Sequence, residues 1–182
     1  MVWLLVLTVI LGVIWFARKG KESDRDDSNS NSTLYVSRMG QAMVADEANR
    51  AWISGDLDRM VRAMECKTNP IDRHFLLMTI VEKAYTKRTD PEMAKLCATV
   101  ADLHLSEFPA IAPVLKKEFA GRLPRVLTFQ YYATLLTERG QFDKAIEVCK
   151  VALSYDLHDK TKSGFEGRIE RIKKKQLQKQ QA

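Results

Sequence analysis

The chain has 182 residues, a formal net charge of +6 and a hydrophobic fraction of 46%. This length fits one domain of ordinary size with additional segments and excludes two large domains. The three cysteines are odd in number and far apart, which favours small core residues over a disulfide framework and favours a reducing compartment; they are Cys66, Cys97 and Cys149.

Residues 1–17 are predicted to be a transmembrane anchor. Residues 2–17 are apolar apart from Thr8 and Gly12, and as a helix they would span about 25 Å, slightly less than a hydrocarbon layer. Basic residues follow this segment and none precedes it, which argues against a cleavable signal and predicts an outward N-terminus with a cytoplasmic remainder. The anchor residues and their flank are Val2, Trp3, Trp15, Phe16, Arg18 and Lys19.

Residues 18–33 are expected to be a basic flank followed by a disordered polar linker. No apolar side chain occurs from Glu22 to Thr33, so this stretch cannot contribute to a packed core. Fully extended, its twelve residues would reach at most ~40 Å.

Residues 34–159 are predicted to form an all-α domain. Apolar residues recur at spacings of three and four, sustained alternation is missing, and neither Asn-Gly nor Asp-Gly occurs, so strands are not supported. Pro109, Pro113 and Pro124 are expected to interrupt the helices and create an irregular connection. The predicted helices span about 33–53, 57–67, 70–86, 91–105, 113–122, 125–139, 142–155 and 165–179.

Two segments of this domain share a pattern of small and apolar residues around a glycine. Each glycine is followed by one polar residue, one apolar residue and an aspartate, as in Gly55-Asp56-Leu57-Asp58 and Gly140-Gln141-Phe142-Asp143. Small residues on both sides of such a turn let two helices approach closely. The residues assigned to this packing are Ala48, Gly55, Leu57, Ala133, Gly140, Phe142, Ala145 and Ala152.

In these residues the chain resembles the tetratricopeptide repeat (TPR) family, whose motif combines small residues at the helix contact, a glycine at the turn and an aromatic after it. The match is good for residues 129–152 and weaker for 44–67. The resemblance implies a TPR-like stack of antiparallel helical hairpins that binds a protein or peptide. Tyr131 is the best candidate for contact with such a partner, although core packing explains the neighbouring aromatic residues.

Residues 160–182 are predicted to form a basic C-terminal helix. They hold eight Lys or Arg against Glu166 and Glu170, a surplus of six that equals the net charge of the whole chain. The helix could contact anionic lipid or RNA, or it could cap the domain. The candidate polyanion-binding residues are Arg168, Arg171, Lys173, Lys174 and Lys175.

Catalytic and cofactor motifs are missing from the sequence. There is no phosphate-binding loop, dinucleotide-binding motif, nucleophile elbow or Cys-x-x-Cys. We expect His74, His104 and His158 to be exposed polar residues, because none has a partner at metal-ligand spacing. The sequence therefore favours a protein that is not an enzyme, with no metal, no cofactor and no small-molecule substrate.

The predicted function is a membrane-anchored scaffold or adaptor that binds a protein or peptide at the cytoplasmic membrane face. The layout is similar to bacterial inner-membrane proteins with one N-terminal helix and a cytoplasmic repeat domain, and an outer-mitochondrial receptor is the second interpretation. The alternative function is a basic-tail module for anionic lipid or RNA, supported by the helical domain. Nucleic acid is the less favoured partner, because the surplus positive charge of the chain lies in the tail and not on the folded domain.

Overall fold

The computed structural model describes residues 33–181, and this part of the chain is mostly helical. The predicted anchor and residues 18–32 of the linker lie outside it. Within residues 33–181, no helix has both the length and the apolar character needed to cross a bilayer. The strands are β1 (Tyr35–Arg38) and β2 (Gln41–Val44), and the helices are α1 (Glu47–Ser54), α2 (Leu57–Ala63), α3 (Pro70–Thr86), α4 (Pro91–Glu118), α5 (Leu127–Glu138), α6 (Phe142–Ser154) and α7 (Gly164–Gln180).

The prediction of a helix over 33–53 was wrong in its first half. The strands β1 and β2 form an antiparallel hairpin in which Tyr35 pairs with Val44 and Arg38 with Gln41. Met39 and Gly40 connect them with φ angles of 51° and 77°, and two consecutive positive φ values match the twist of the strands. The helix begins only after Asp46, whose side chain accepts a hydrogen bond from the Asn49 backbone N–H.

The predicted break between 105 and 113 was also wrong, because α4 runs without interruption over 28 residues. Pro109 and Pro113 both lie inside it and are exposed. Each proline removes one backbone hydrogen bond, but on this face the freed carbonyls can turn to solvent. The opposite face is held in the core by Phe108, Ile111 and Leu115, which keeps the helix continuous.

The remaining boundaries are set by local capping groups. Asn69 and Asp90 cap α3 and α4 and are each followed by a proline, which fits the first helical position. Gly55 and Gly140 adopt φ values of 71° and 73° after α1 and α5, a conformation that favours glycine. The helix predicted for 57–67 is shorter, since α2 ends at Ala63.

The helices pack in sequential pairs around one core. Helix α3 packs along α4, α5 packs along α6, and α7 covers α6. Helix α3 also contacts α1 and α5, so the first members of the pairs lie side by side. The largest buried side chains include Tyr132, Phe108, Phe129 and Phe165. The ring of Phe108 lies 5.2 Å from Phe129 and 4.9 Å from Tyr155 between centroids, which joins α4 to the last pair.

Replacing Ala145 with leucine should destabilise the α5–α6 pair. Ala145 and Ala133 are both fully buried, and extra methylene groups in a filled core cost about 1–3 kcal/mol. Urea unfolding of the full chain in detergent would measure this loss. Ala110→Leu is the control, because Ala110 is exposed on α4 and a surface change should stay within about 0.5 kcal/mol. Equal losses in the two variants would contradict a tight contact at Ala145.

Candidate functional site

A groove of 140 Å³ lies between α5 and α7. Its α5 wall carries two threonine hydroxyls and one carboxylate, and its α7 wall carries three basic side chains around one isoleucine. Ile172 is buried, and it fixes α7 to the domain at the base of the groove. The lining residues are Thr134, Thr137, Glu138, Arg168, Arg171, Ile172 and Lys175.

A pair of stacked tyrosines adjoins this groove. The rings of Tyr85 on α3 and Tyr131 on α5 lie 4.5 Å apart between centroids at an interplanar angle of 22°. The guanidinium of Arg88 lies 4.1 Å from the centroid of Tyr85 and donates to both oxygens of Glu138 at 2.8 and 3.0 Å. Burial raises the pKa of both tyrosines. Tyr85 is covered by Tyr131 and Arg88, so the half-buried stack leaves ring edges and the outer face of Tyr131 to a ligand, bordered by charge.

Tyr131 was predicted to be available to a partner, and the structure places it at the surface but not fully exposed. It is half-buried and stacked on Tyr85. Its neighbour Tyr132 is buried, and burial raises the pKa of the Tyr132 hydroxyl well above its ordinary value. Only one of the two adjacent tyrosines can therefore meet a ligand without unfolding.

The predicted basic residues of the C-terminal helix have three different environments. Arg168 is committed to the fold, since it donates to Asp159 Oδ2 at 2.8 and 3.0 Å and to the Thr134 hydroxyl at 2.9 Å. Arg171 and Lys175 line the groove and are exposed. Lys173 and Lys174 are exposed but do not line it, and Lys173 pairs with Glu170 at 2.8 Å.

The pair of Arg168 and Asp159 ties α7 to the loop that precedes it, and the hydrogen bond from Arg168 to Thr134 ties α7 to α5. The Asp159 side chain is 0% exposed and that of Arg168 is 18% exposed. Burial alone would raise the pKa of Asp159, but hydrogen bonds from Thr161 and Arg168 outweigh this effect and lower it. A buried pair of this kind positions the helix rather than binding a ligand.

The residues assigned to repeat packing lie inside the helix pairs. Among them, the alanines are buried, whereas Leu57 and Phe142 are half-buried at the starts of α2 and α6. The Nζ atom of Lys179 lies 5.9 Å from the Phe142 ring centroid, so α7 extends over the start of α6. The buried alanines are Ala48, Ala133, Ala145 and Ala152.

The prediction that His74 and His104 are exposed was wrong, because both are completely buried. His74 Nδ1 lies 3.0 Å from His104 Nε2, and His104 Nδ1 lies 2.8 Å from the Thr128 hydroxyl. In each contact one atom must donate and the other accept, so at least one of the two rings is neutral, and burial disfavours a charge on either ring. Burial lowers the pKa of His74 to about 4 and holds the pKa of His104 well below its ordinary value. Neither ring can reach a substrate.

Sequence reasoning also missed a buried carboxylate at the start of α3. Asp72 is 1% exposed and receives hydrogen bonds from Arg38, Asn49, Trp52 and Asn69 at 2.5–3.3 Å. Burial alone would raise the pKa of Asp72, but these donors lower it. Asp72 thus joins the β-hairpin, α1 and α3. The nearest sequence signal was the pair Asn69-Pro70, which predicts a capped helix start but not its tertiary partners.

A second groove, of 340 Å³, lies where α2 leads into α3 and faces α4. Two of its charged groups are paired, since Arg73 donates to both oxygens of Glu107 at 2.8 Å and also to the Met64 carbonyl at 2.7 Å. Cys66 at its rim is partly exposed, whereas Cys97 and Cys149 are buried free thiols. In residues 33–181 no cluster of His, Cys, Asp or Glu has the arrangement of a metal site.

Comparisons with known proteins give one informative match. An uncharacterized protein from Aquifex aeolicus (strain VF5) is 25% identical over 145 residues, which cover 75% of this chain and 68% of the relative. No family model matches the chain, and no solved structure matches it. The candidate site is therefore defined by its geometry: a half-buried tyrosine stack, joined by the pair of Arg88 and Glu138 to a groove that two exposed cations line.

Proposed function

We propose that this protein is a membrane-anchored TPR-like adaptor that binds a peptide segment of another protein in the groove between α5 and α7. The observation that carries the proposal is that the stack of Tyr85 and Tyr131 borders, through Arg88 and Glu138, the groove that Arg171 and Lys175 line. An aromatic surface supplies contact area at little entropic cost, and nearby cations fix the direction and charge of a ligand.

The chemistry of the groove selects an acidic peptide with an aromatic or aliphatic side chain. Arg171 donates to the neutral hydroxyl of Ser163 at 3.0 Å, so its charge is not offset by that bond. The cations Arg88 and Arg168 are already paired with Glu138 and Asp159. The groove thus presents a net positive charge next to the tyrosines. The N-terminal anchor would hold the groove near the membrane and raise the local concentration of its partner.

Site-specific photo-crosslinking tests this proposal. A photoreactive phenylalanine analogue replaces Tyr131 in the full chain, and a second version carries it at Glu147, which is 66% exposed on α6. In native membranes, position 131 should give discrete adducts that position 147 does not. An identical adduct pattern at both positions, or no adduct at 131, would argue against a peptide groove.

Charge reversal within α7 distinguishes an adaptor from a polyanion-binding tail. Arg171→Glu with Lys175→Glu should reduce adduct formation at position 131 about tenfold, because both cations line the groove. Lys173→Glu with Lys174→Glu is the matched control, with the same change in charge on the same helix but outside the groove. Equal losses from the two double variants would instead favour binding of RNA or anionic lipid by overall charge.

A further inference from the structure

The exposed apolar side chains of the described residues are concentrated at one end of the domain. Eight large hydrophobic residues are exposed in this part of the chain, and five of them lie between residues 34 and 44. A sixth, Phe119, follows α4. Their exposed fractions range from 39% to 64%, for Leu34, Tyr35, Met39, Met43, Val44 and Phe119.

Contacts between these elements place the hairpin tip beside Phe119, while the strand register puts Tyr35 and Val44 together on the face opposite Arg38. The Met39 backbone N–H donates to the Glu118 carboxylate, which places the hairpin tip at the end of α4 next to Phe119. The Phe119 ring lies 6.4 Å from Phe75, and Phe75 lies 5.1 Å from Trp52. Trp52 shares the carboxylate of Asp72 with Arg38 of the hairpin. An apolar patch of this kind marks a surface that binds something.

The charges around the patch indicate what it binds. Lys116, Lys117 and Arg122 are exposed within one turn of Phe119, and the nearby carboxylates Glu118 and Asp72 are engaged by the hairpin. A border of cations around aliphatic and aromatic side chains suits the headgroup region of an anionic bilayer. Tyr35 is 64% exposed at the start of β1, and tyrosine prefers this boundary because its ring is apolar and its hydroxyl polar.

The position of the patch in the chain supports the same occupant. The hairpin begins at Tyr35, directly after the polar stretch that follows the apolar residues 2–17. The seventeen residues 18–34 between that segment and β1 reach at most ~60 Å, so an anchored chain would keep the hairpin within that distance of the membrane. A pairing strand or a second copy would use the backbone edges of β1 and β2. That use does not account for the exposure of Phe119 on a different element.

We infer that the hairpin and the end of α4 form a second membrane contact, which docks the domain on anionic lipid in a fixed orientation. Tyr35, Met39, Val44 and Phe119 enter the headgroup region, and the three cations bind lipid phosphates or carboxylates. Arg171 and Lys175 are not part of this contact, and the α5–α7 groove stays open for a partner. This inference rests on the anchor of the proposed function but not on its peptide partner.

Fluorescence quenching in reconstituted vesicles tests the contact with the full-length protein. An environment-sensitive dye is attached to Tyr35→Cys or, as the control, to Lys150→Cys, a position 62% exposed on α6. Cys66→Ser removes the partly exposed native thiol. Cys97 and Cys149 should not react, because burial raises the pKa of both to about 12. The vesicles contain phosphatidylcholine with or without phosphatidylserine, and nitroxide-labelled lipid acts as the quencher.

Quenching at position 35 should be several-fold stronger than at position 150, and phosphatidylserine should increase it. Replacing Lys116, Lys117 or Arg122 with glutamine should lower the ratio of docked to free domain about fivefold for each cation. Equal quenching at both positions, in protein that alkaline carbonate does not extract from the vesicles, would overturn the inference while leaving the anchor intact. A lipid effect that depends on Lys173 and Lys174 would also overturn it, as would position 35 forming crosslinks only to a second copy. Loss of carbonate resistance itself would refute the anchor.

Discussion

Replacing Asp72 with alanine is expected to lower the free energy of unfolding by about 3–5 kcal/mol, the largest single effect that the structure predicts. Arg38 Nη2 lies 2.5 Å from Asp72 Oδ1, and the Arg38 side chain is only 16% exposed. Removal of the carboxylate leaves this charge and three neutral donors in a dry site. The cost of such orphaned groups exceeds the net contribution of the hydrogen bonds themselves.

The loss should appear first at the hairpin. Asp72 is the acceptor that Arg38 of β1 and Asn49 of α1 share, so its removal releases the hairpin and α1 from α3. Hydrogen exchange in the Asp72→Ala variant should accelerate over residues 35–54 more than over α5 and α6. Urea unfolding of the full chain in detergent would give the total change.

Glu47→Ala is the matched control for this prediction. Arg59 donates to both oxygens of Glu47 at 2.8 and 3.1 Å, a geometry like that of Arg38 and Asp72. These two side chains are 38% and 43% exposed, and an exposed ion pair contributes about 0–1 kcal/mol. A loss at Asp72 no larger than that at Glu47 would show that burial of the network does not matter.

Local signals predicted most of the helices, because their boundaries depend on neighbouring residues. The cap and proline at Asn69-Pro70 start α3 at the predicted residue, and the helix ends at Thr86 as expected. The glycine turn at Gly140 likewise separates α5 from α6. Such features act within one turn of helix, so a single sequence contains the information needed.

The incorrect predictions concern residues whose state depends on distant contacts. Met39-Gly40 forms a hairpin turn without the usual asparagine or aspartate, and the hairpin is held by Asp72, 34 residues from Arg38. The prolines of α4 lie on its exposed face while the other face is packed. Helical spacing shows that a face is apolar but not which distant element will cover it.

The candidate site could be predicted only in part, because it also depends on contacts between distant residues. The sequence indicated Tyr131 and the basic residues of α7 because of their type and spacing. It could not separate Arg171 and Lys175, which line the groove, from Arg168, which is paired with Asp159. That distinction depends on how α7 crosses α5. The burial of His74 and His104 could not be predicted for the same reason, because each ring has a hydrogen-bond partner on another helix.

The buried histidines predict a loss of stability in mild acid. Both pKa values are lower in the folded chain than the ordinary value of 6.5, so the unfolded chain binds more protons as the pH falls. The stabilisation is present above about pH 6.5 and decreases below it, at about 1.4 kcal/mol per pH unit for each histidine. For His74, with a pKa of about 4, the total would reach roughly 3 kcal/mol.

Unfolding measured between about pH 5 and pH 6.5 isolates this effect. Asp72 and Asp159 have lowered pKa values, so their contribution is lost only near and below their ordinary value of 3.8. His74→Gln or His104→Gln should each remove about half of the slope, whatever its effect on stability at neutral pH. If the pH dependence of stability survives both His74→Gln and His104→Gln, burial does not hold the two rings neutral. The protonation state of the hydrogen-bonded chain from His74 to Thr128 would then have to be reassigned.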